Sequence, residues 1–323
     1  IGPTAALLAR AAERRDGGSY RMRDAAAALG VPEAALLEAR RSTGAARRLQ
    51  AETPGDYSRL LAALTVVGEV MALTRNESCV HEKHGVFAAP EIEGAMGQVV
   101  GEIDLRVFLR HWRYGYVLDE DTASGPRQSL QIFDAHGIAV HKIFATAATD
   151  AEAFSRLAEA SSAPDATPAQ FFPEPAPEAE RPDAEIDREG FLAGWDALAH
   201  SHEFLSLLRR FGVGRAQAMR LGGLARARPV DASAVELVLE GAASAALPIM
   251  VFVGNRGCVQ IHSGPVERIK RMGSWLNVLD PRFNLHLRED RISAAYVVRK
   301  PSLRGDIHSL ELFDAGGECF CQI

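Results

Sequence analysis

The residues with the most capacity for chemistry are one imidazole and a few guanidinium groups. His202 falls in a series with Phe191, Trp195, Leu198, Leu205 and Leu208, at successive spacings of 4, 3, 4, 3 and 3. That spacing would lay all six on one stripe of a helix. His200, two positions earlier, would then point about 200° away. An imidazole on a dry face suits the axial position of haem iron; a core histidine bonded to a backbone carbonyl has the same pattern. Arg106 shares a predicted strand face with Phe108 and Arg110, while Leu105, Val107 and Leu109 share the other. An arginine beside a phenylalanine can line a flat aromatic ligand, and a solvated strand face has that composition too. Arg215, just past Gly212, and Arg299-Lys300, before Pro301, could pair with two neighbouring carboxylates or be ordinary surface charges.

Other constellations are weaker. His81-Glu82-Lys83-His84 suggests a metal pair, but a strand or turn is expected there, not the helix that zinc proteases use. His262, His286 and His308 have no ligand spacing, no serine sits in a nucleophile elbow, and no glycine-rich phosphate loop precedes a helix. The four cysteines lack zinc-type spacing and a covalent haem motif. Cys79 and Cys258, flanked by apolar residues, are expected to be buried thiols, which fits a reducing cytoplasm. A formal charge of -6 argues against nucleic acid as the main partner, so the basic groups Arg209, Arg210, Arg215 and Arg220, and Lys270 with Arg271, have only local meaning. No apolar run reaches membrane-spanning length, and no membrane insertion is expected.

These residues sit in a chain of 323 residues that contains the same unit twice. Asn76-Glu77-Ser78-Cys79-Val80 matches Asn255-Arg256-Gly257-Cys258-Val259, Met96-Gly97 matches Met272-Gly273, and Ser129 to Asp134 matches Ser309 to Asp314, at offsets of 179, 176 and 180. The expected fold is α+β, a tandem duplication of a helical segment plus a large antiparallel sheet, with a ligand cleft between non-identical halves. Residues 1–161 form the first repeat: helices over 4–50, broken at Gly17-Gly18 and at Gly30-Val31-Pro32, a short helix from Asp56, then strands Glu69–Thr74, Gly97–Val100, Leu105–Leu109, Tyr114–Leu118, Ser129–Phe133 and Ile138–Ile143, and a closing helix Asp150–Ser161. Residues 162–185, with six prolines from Pro164 to Pro182 among Ala and Glu, read as a solvated linker. Residues 186–323 form the second repeat, a helix from about Asp187 followed by strands from Leu247. Because Ile323 is the counterpart of Ile143, the closing helix of the second copy is expected to lie beyond this sequence, and Ile1 in place of methionine suggests that residues precede it.

The chain resembles the haemin-degrading factor family, the HemS/ChuS/PhuS type of cytoplasmic haem proteins of Gram-negative bacteria. The resemblance is carried by Val80-His81-Glu82-Lys83-His84-Gly85, Ile103-Asp104-Leu105-Arg106, Arg127 to Asp134, His202-Glu203-Phe204, Met250 to Ile261, Trp275-Leu276-Asn277 and Arg299-Lys300-Pro301. It covers nearly the whole chain, and its most specific string is Gly254 to Ile261. It implies haem b (iron protoporphyrin IX) held with His202 as the proximal iron ligand and Arg106, from the first half, as the distal catalytic arginine. It also implies Phe108 near the haem face, and Arg215, Lys300 and Gln322 on the propionate side. His200 stands where relatives usually carry an acidic residue, so a second imidazole could compete for iron. The tyrosine and arginine that follow in the family lie past Ile323. The implied function is a cytoplasmic haem-binding protein of a haem-uptake system that traffics haem, degrades it to free iron, or does both. Its implied partners are haem, an uptake ABC transporter and a downstream haem oxygenase. The alternative is a non-enzymatic carrier that only hands haem on.

Overall fold

The computed structural model describes residues 3–13, 22–53, 55–122, 125–163, 165–177 and 179–323. The fold is α+β, its strands gathered into two large antiparallel sheets. The break expected at Gly17-Gly18 lies outside the described residues, as does Pro164. The chain divides into two compact units. The first comprises Ile1–Arg75, His81–Glu174 and Gly254–Ile261; the second comprises Asn76–Val80, Pro175–Val253 and His262–Ile323. The turn of each repeat thus belongs to the unit built mostly from the other repeat.

In the first unit, helices Pro3–Glu13, Met22–Leu29 and Glu33–Arg40 precede the strands. Strands Ala46–Arg48, Tyr114–Thr122, Gly125–Phe133, Ala139–Thr149 and Gly68–Arg75 lie side by side in that order, all antiparallel. A second set runs Glu91–Glu93, Met96–Val99, Asp104–Phe108 and then the start of strand Cys258–Gly264, with Cys258 opposite Val107 and Ile261 opposite Asp104. Both sets fill one core around Leu61, Val70, Leu105, Val107, Trp112 and Ile143. The closing helix Ala151–Ala160 starts where the Asp150 side chain accepts the Ala153 N–H at 2.9 Å, a standard N-cap.

In the second unit, strands Ala227–Val230, Ala294–Lys300, Ile307–Phe313, Cys319–Gln322 and Ile249–Gly254 lie in that order, and Ile269–Met272, Trp275–Leu279 and Phe283–Arg288 form a meander. The Ile307–Phe313 strand is buried on both faces from Leu310 onward. Leu310 and Leu312 enter a core with Val235 and Leu239 of helix Ala234–Ser244. Phe313 faces a second core with Phe191, Trp195, Phe204 and Leu208 from the helices Arg188–Asp196 and Phe204–Phe211. A charged residue on that second face must find a partner indoors.

The repeat is visible in the turn chemistry. Asn76 Oδ1 accepts the N–H groups of Ser78 and Cys79, and its Nδ2 donates to the Phe320 carbonyl at 2.8 Å. Asn255 Oδ1 accepts from Gly257 and Cys258, and its Nδ2 donates to the carbonyls of Arg75 and Val140, both at 2.9 Å. Asp134 and Asp314 likewise each accept two backbone N–H groups in equivalent turns. Cys79 and Cys258 are buried free thiols, as expected.

Three departures stand out. Strands Ala46–Arg48 and Ala227–Val230 were not expected; each is a short strand in an Ala/Arg-rich stretch that reads as helix until the neighbouring strand is known. The proline-rich segment is tied down at both ends. Tyr114 OH donates to the Gln170 carbonyl at 2.7 Å and its ring meets Phe171 edge-on, while Gln217 Nε2 donates to the Arg181 carbonyl at 2.7 Å. The third departure, a break in the helix that was to carry His202, shapes the site.

Asn255→Ala should cost the first unit about 2–3 kcal/mol, because it orphans two backbone N–H groups and two carbonyls. Trp112, whose indole N–H donates to the Gly257 carbonyl at 2.8 Å, is the reporter: the fluorescence-detected urea midpoint should fall. An unchanged midpoint would show that the turn contributes nothing.

Candidate functional site

His202 does not lie on a helical stripe. Helix Arg188–Asp196 ends at Ala197, His200 is extended (φ -142°, ψ 139°), Ser201–Glu203 makes one tight turn, and a new helix runs over Phe204–Phe211. The cause is Glu203, whose carboxylate accepts the N–H groups of Ala199 and His200 at 3.0 and 3.1 Å. These N–H groups belong to the N-cap of the tight turn and the residue before it, and a side chain that satisfies them fixes a break there. Glu203 is correspondingly more acidic than an ordinary glutamate, through those backbone bonds first and then the nearby His200 and His202. Phe191, Trp195, Leu198 and Leu208 are buried as the spacing implies, but His202 and Leu205 are exposed, and Phe204, which lay off that stripe, is buried instead. His200 is not on the far side: the two imidazoles stack, centroids 5.2 Å apart and planes within 7°.

Both histidines line a cavity of about 340 Å³ with Ser201 and the hairpin loop Ser302, Leu303, Arg304, Gly305, Asp306 and Ile307. The Leu303 N–H donates to the Ala199 carbonyl at 2.9 Å, which anchors the loop to the helix break. Among the described residues no hydrogen bond occupies a ring nitrogen of His202. A free imidazole nitrogen facing a cavity that also presents Leu303 and Ile307 is chemically suited to an iron porphyrin, which needs one nitrogen donor and apolar surface.

Three other expected residues come together. Arg215, first residue of the helix Arg215–Gly222, donates from Nε to Glu311 Oε2 at 3.0 Å. The Lys300 ammonium binds Glu311 Oε1, and Gln322 stands opposite Glu311 across the antiparallel pair. Lys300 also lies 5.0 Å from the centroid of the Phe204 ring, two residues after His202. Both cations that the resemblance assigns to ligand carboxylates are therefore already engaged by a carboxylate of the chain. Glu311 is wholly buried: burial would push its acidity down, but the Coulomb pull of Arg215 and Lys300 wins and holds its pKa near about 2. Cys319 Sγ lies 3.9 Å from Glu311 Oε2, and burial pushes this thiol up to about 12, so it stays protonated. Glu311 was not singled out from sequence, although a glutamate inside the apolar run Ser309-Leu310-Glu311-Leu312-Phe313 was the available signal.

Arg106 and Phe108 lie in the first unit, on strand Asp104–Phe108, where Leu105 and Val107 are buried and Arg106 and Phe108 are partly exposed, the alternation read from sequence. The Arg106 guanidinium is held by Asp104 Oδ1 at 2.5 Å and donates to the Leu105 carbonyl at 3.0 Å, leaving further donors available. The basic cluster does not form a field: Arg220 pairs with Glu180, and Arg271 with Glu236 and Glu289. Among the described residues no group of His, Cys, Asp and Glu has the makings of a metal site, and no helix is long and apolar enough to cross a membrane.

The chain is thus a duplicated α+β fold with an imidazole pair at a cavity and a buried carboxylate held by two cations. The chain belongs to the family of the haemin-degrading HemS.ChuX domain, whose model matches residues 30–161 and 212–323. It is 40% identical over 308 residues to the hemin transport protein HemS of Yersinia enterocolitica, covering 95% of this chain and 87% of that protein. Its fold matches holo-PhuS, a heme-binding protein from Pseudomonas aeruginosa, with a TM-score of 0.91 and 43% identity over 99% of this chain and 91% of that one. It also matches ChuS, an E. coli heme oxygenase, with a TM-score of 0.86 and 37% identity over 98% and 92% of the two chains.

Because Glu311 is held well below the usual 4.5, folding favours its charged form. Its contribution is complete above the unfolded carboxylate's pKa and is lost as pH falls from about 4.5 toward about 2. Glu311→Gln should flatten this acid limb of the stability curve and lower stability at neutral pH, measured by urea unfolding across pH. An acid limb identical to wild type would mean that Glu311 is not held as described.

Proposed function

We propose that this chain is a cytoplasmic haem-binding protein of a bacterial haem-uptake system, which receives imported haem and passes it on or opens its ring to release iron. The observation that carries this reading is His202: in a chain of the HemS family, an exposed imidazole with free ring nitrogens lines a cavity with apolar walls. His202 is the proximal ligand of haem b, and Arg106 the distal residue. With haem bound, His202 would hold the iron and the group would supply oxygen chemistry. Arg106, oriented by Asp104, would donate hydrogen bonds to a small ligand held with the haem. Phe108, next but one on the same strand face, offers a ring surface for the macrocycle. Arg215, Lys300 and Gln322 serve the propionate edge, where Arg215 and Lys300 exceed the charge of Glu311 by one.

Ring opening is supported by the match to ChuS, described as a heme oxygenase, and carriage by the matches to a hemin transport protein and a heme-binding protein. In the second reading the protein only carries haem from an ABC transporter to a separate haem oxygenase. The two separate in a turnover assay. The ferric haem complex is reduced without oxygen and then given oxygen with catalase present. Loss of the Soret band with a defined tetrapyrrole product supports ring opening; a band that survives, or bleaches only without catalase, supports carriage.

His202→Ala should weaken haemin binding at least about tenfold, roughly 1.4 kcal/mol, and change the spin-state bands, with His200→Ala/His202→Ala weaker still where His200 substitutes. Arg106→Ala should leave affinity within about threefold and alter the visible bands or the turnover. Loss of binding in Arg106→Ala with none in His202→Ala would reverse the two roles.

A further inference from the structure

We propose that Arg304 is the carboxylate-recognising cation of the cavity at His200 and His202, and that it selects porphyrins bearing propionate groups. The inference deepens the haem-binding reading and rests on it. Arg304 lines the same cavity as the two imidazoles. Its loop is fixed rather than left loose: the Ser302 hydroxyl donates to the Gly305 carbonyl at 2.6 Å, the Arg304 N–H donates to the Ser302 hydroxyl at 3.2 Å, and Gly305 takes the positive φ of 113° that closes the turn. The Arg304 guanidinium itself has no hydrogen bond or ion pair among the described residues.

The charges around it explain why that matters. The one acid lining the cavity, Asp306, accepts from Arg299 Nη1 at 3.1 Å, and Arg299 also pairs with Asp196 at 3.4 Å. Asp306 is thus occupied and does not quench Arg304. Lys300 and Arg215 share Glu311, which leaves one net positive charge between them, and neither lines this cavity. Arg304 is therefore the cation at this cavity whose charge is uncommitted, and a guanidinium binds a carboxylate through two parallel N–H donors. On either side of it Leu303 is 78% exposed and Ile307 44% exposed, unusual freedom for large apolar side chains in a pinned loop. A nitrogen donor for a metal, an apolar rim for a ring and a free guanidinium for an acid are complementary to one class of ligand: a flat, apolar, metal-bearing macrocycle with carboxylate arms.

The test uses the full chain and two probes, haemin and its dimethyl ester, which keeps iron and ring and removes both carboxylate charges. Wild type should bind haemin about fivefold or more tightly than the ester. Arg304→Ala should lose that preference by weakening haemin alone, Arg304→Lys should restore part of it, and the difference should shrink as salt is raised. Circular dichroism and the melting temperature should not change, since the side chain is exposed and has no hydrogen bond or ion pair among the described residues. If Arg304→Ala binds haemin as wild type does, with the His202-dependent Soret shift intact, the assignment of Arg304 is wrong and the haem reading stands. If wild type itself gives no His202-dependent Soret shift, both fall.

Discussion

The arrangement of the second unit depends on one carboxylate. By accepting the N–H groups of Ala199 and His200, Glu203 ends one helix and starts the next. Without it, the periodicity of Phe191, Trp195, Leu198 and Leu205 would continue and carry His202 into the apolar stripe. With it, the helix Phe204–Phe211 restarts in a register that buries Phe204 against Trp195, centroids 4.6 Å apart, and leaves both imidazoles outside. Phe204 then lies beneath the Lys300 ammonium, and Lys300 shares Glu311 with Arg215. The histidine turn and the cationic cluster are thus two ends of one packed series of side chains.

Much of this was legible because it obeys local rules. Alternation along Leu105, Arg106, Val107 and Phe108 named the buried and open faces of that strand, and the duplicated Asn and Asp turns could be aligned by eye. What stayed hidden was decided by partners distant in sequence. Glu203 looks like an ordinary helix residue until its bonds to Ala199 and His200 are seen, so the histidine stripe was extended through a break. Glu311 lies about a hundred residues from Arg215, and no spacing rule joins them. The hairpin loop 302–307 reads as a plain turn, and only its bond to Ala199 brings it beside the histidines. The brief strands Ala46–Arg48 and Ala227–Val230 are made by their neighbours rather than by their own residues.

The two repeats share a scaffold but not an electrostatic plan. Where the second unit has Glu311 between two cations, the first has Gln131, whose amide donates to Ser129 Oγ at 3.0 Å. Where the second has the thiol of Cys321, the first has His141, fully buried against Trp112, its pKa driven down to about 3 by burial, and hydrogen-bonded to Thr74. The first unit therefore keeps its polar interior neutral at these positions, and the second concentrates charge. Duplication supplied a fold twice; substitutions at interior polar positions made the copies unlike.

The clustering of two cations on Glu311 has a genetic corollary. Deleting either one leaves the interior carboxylate with a remaining counter-ion, so the cluster is redundant toward single lesions and brittle toward paired ones. A survey of one-at-a-time charge removals would underrate it, and the dependence would emerge only as synergy when Arg215 and Lys300 are lost together.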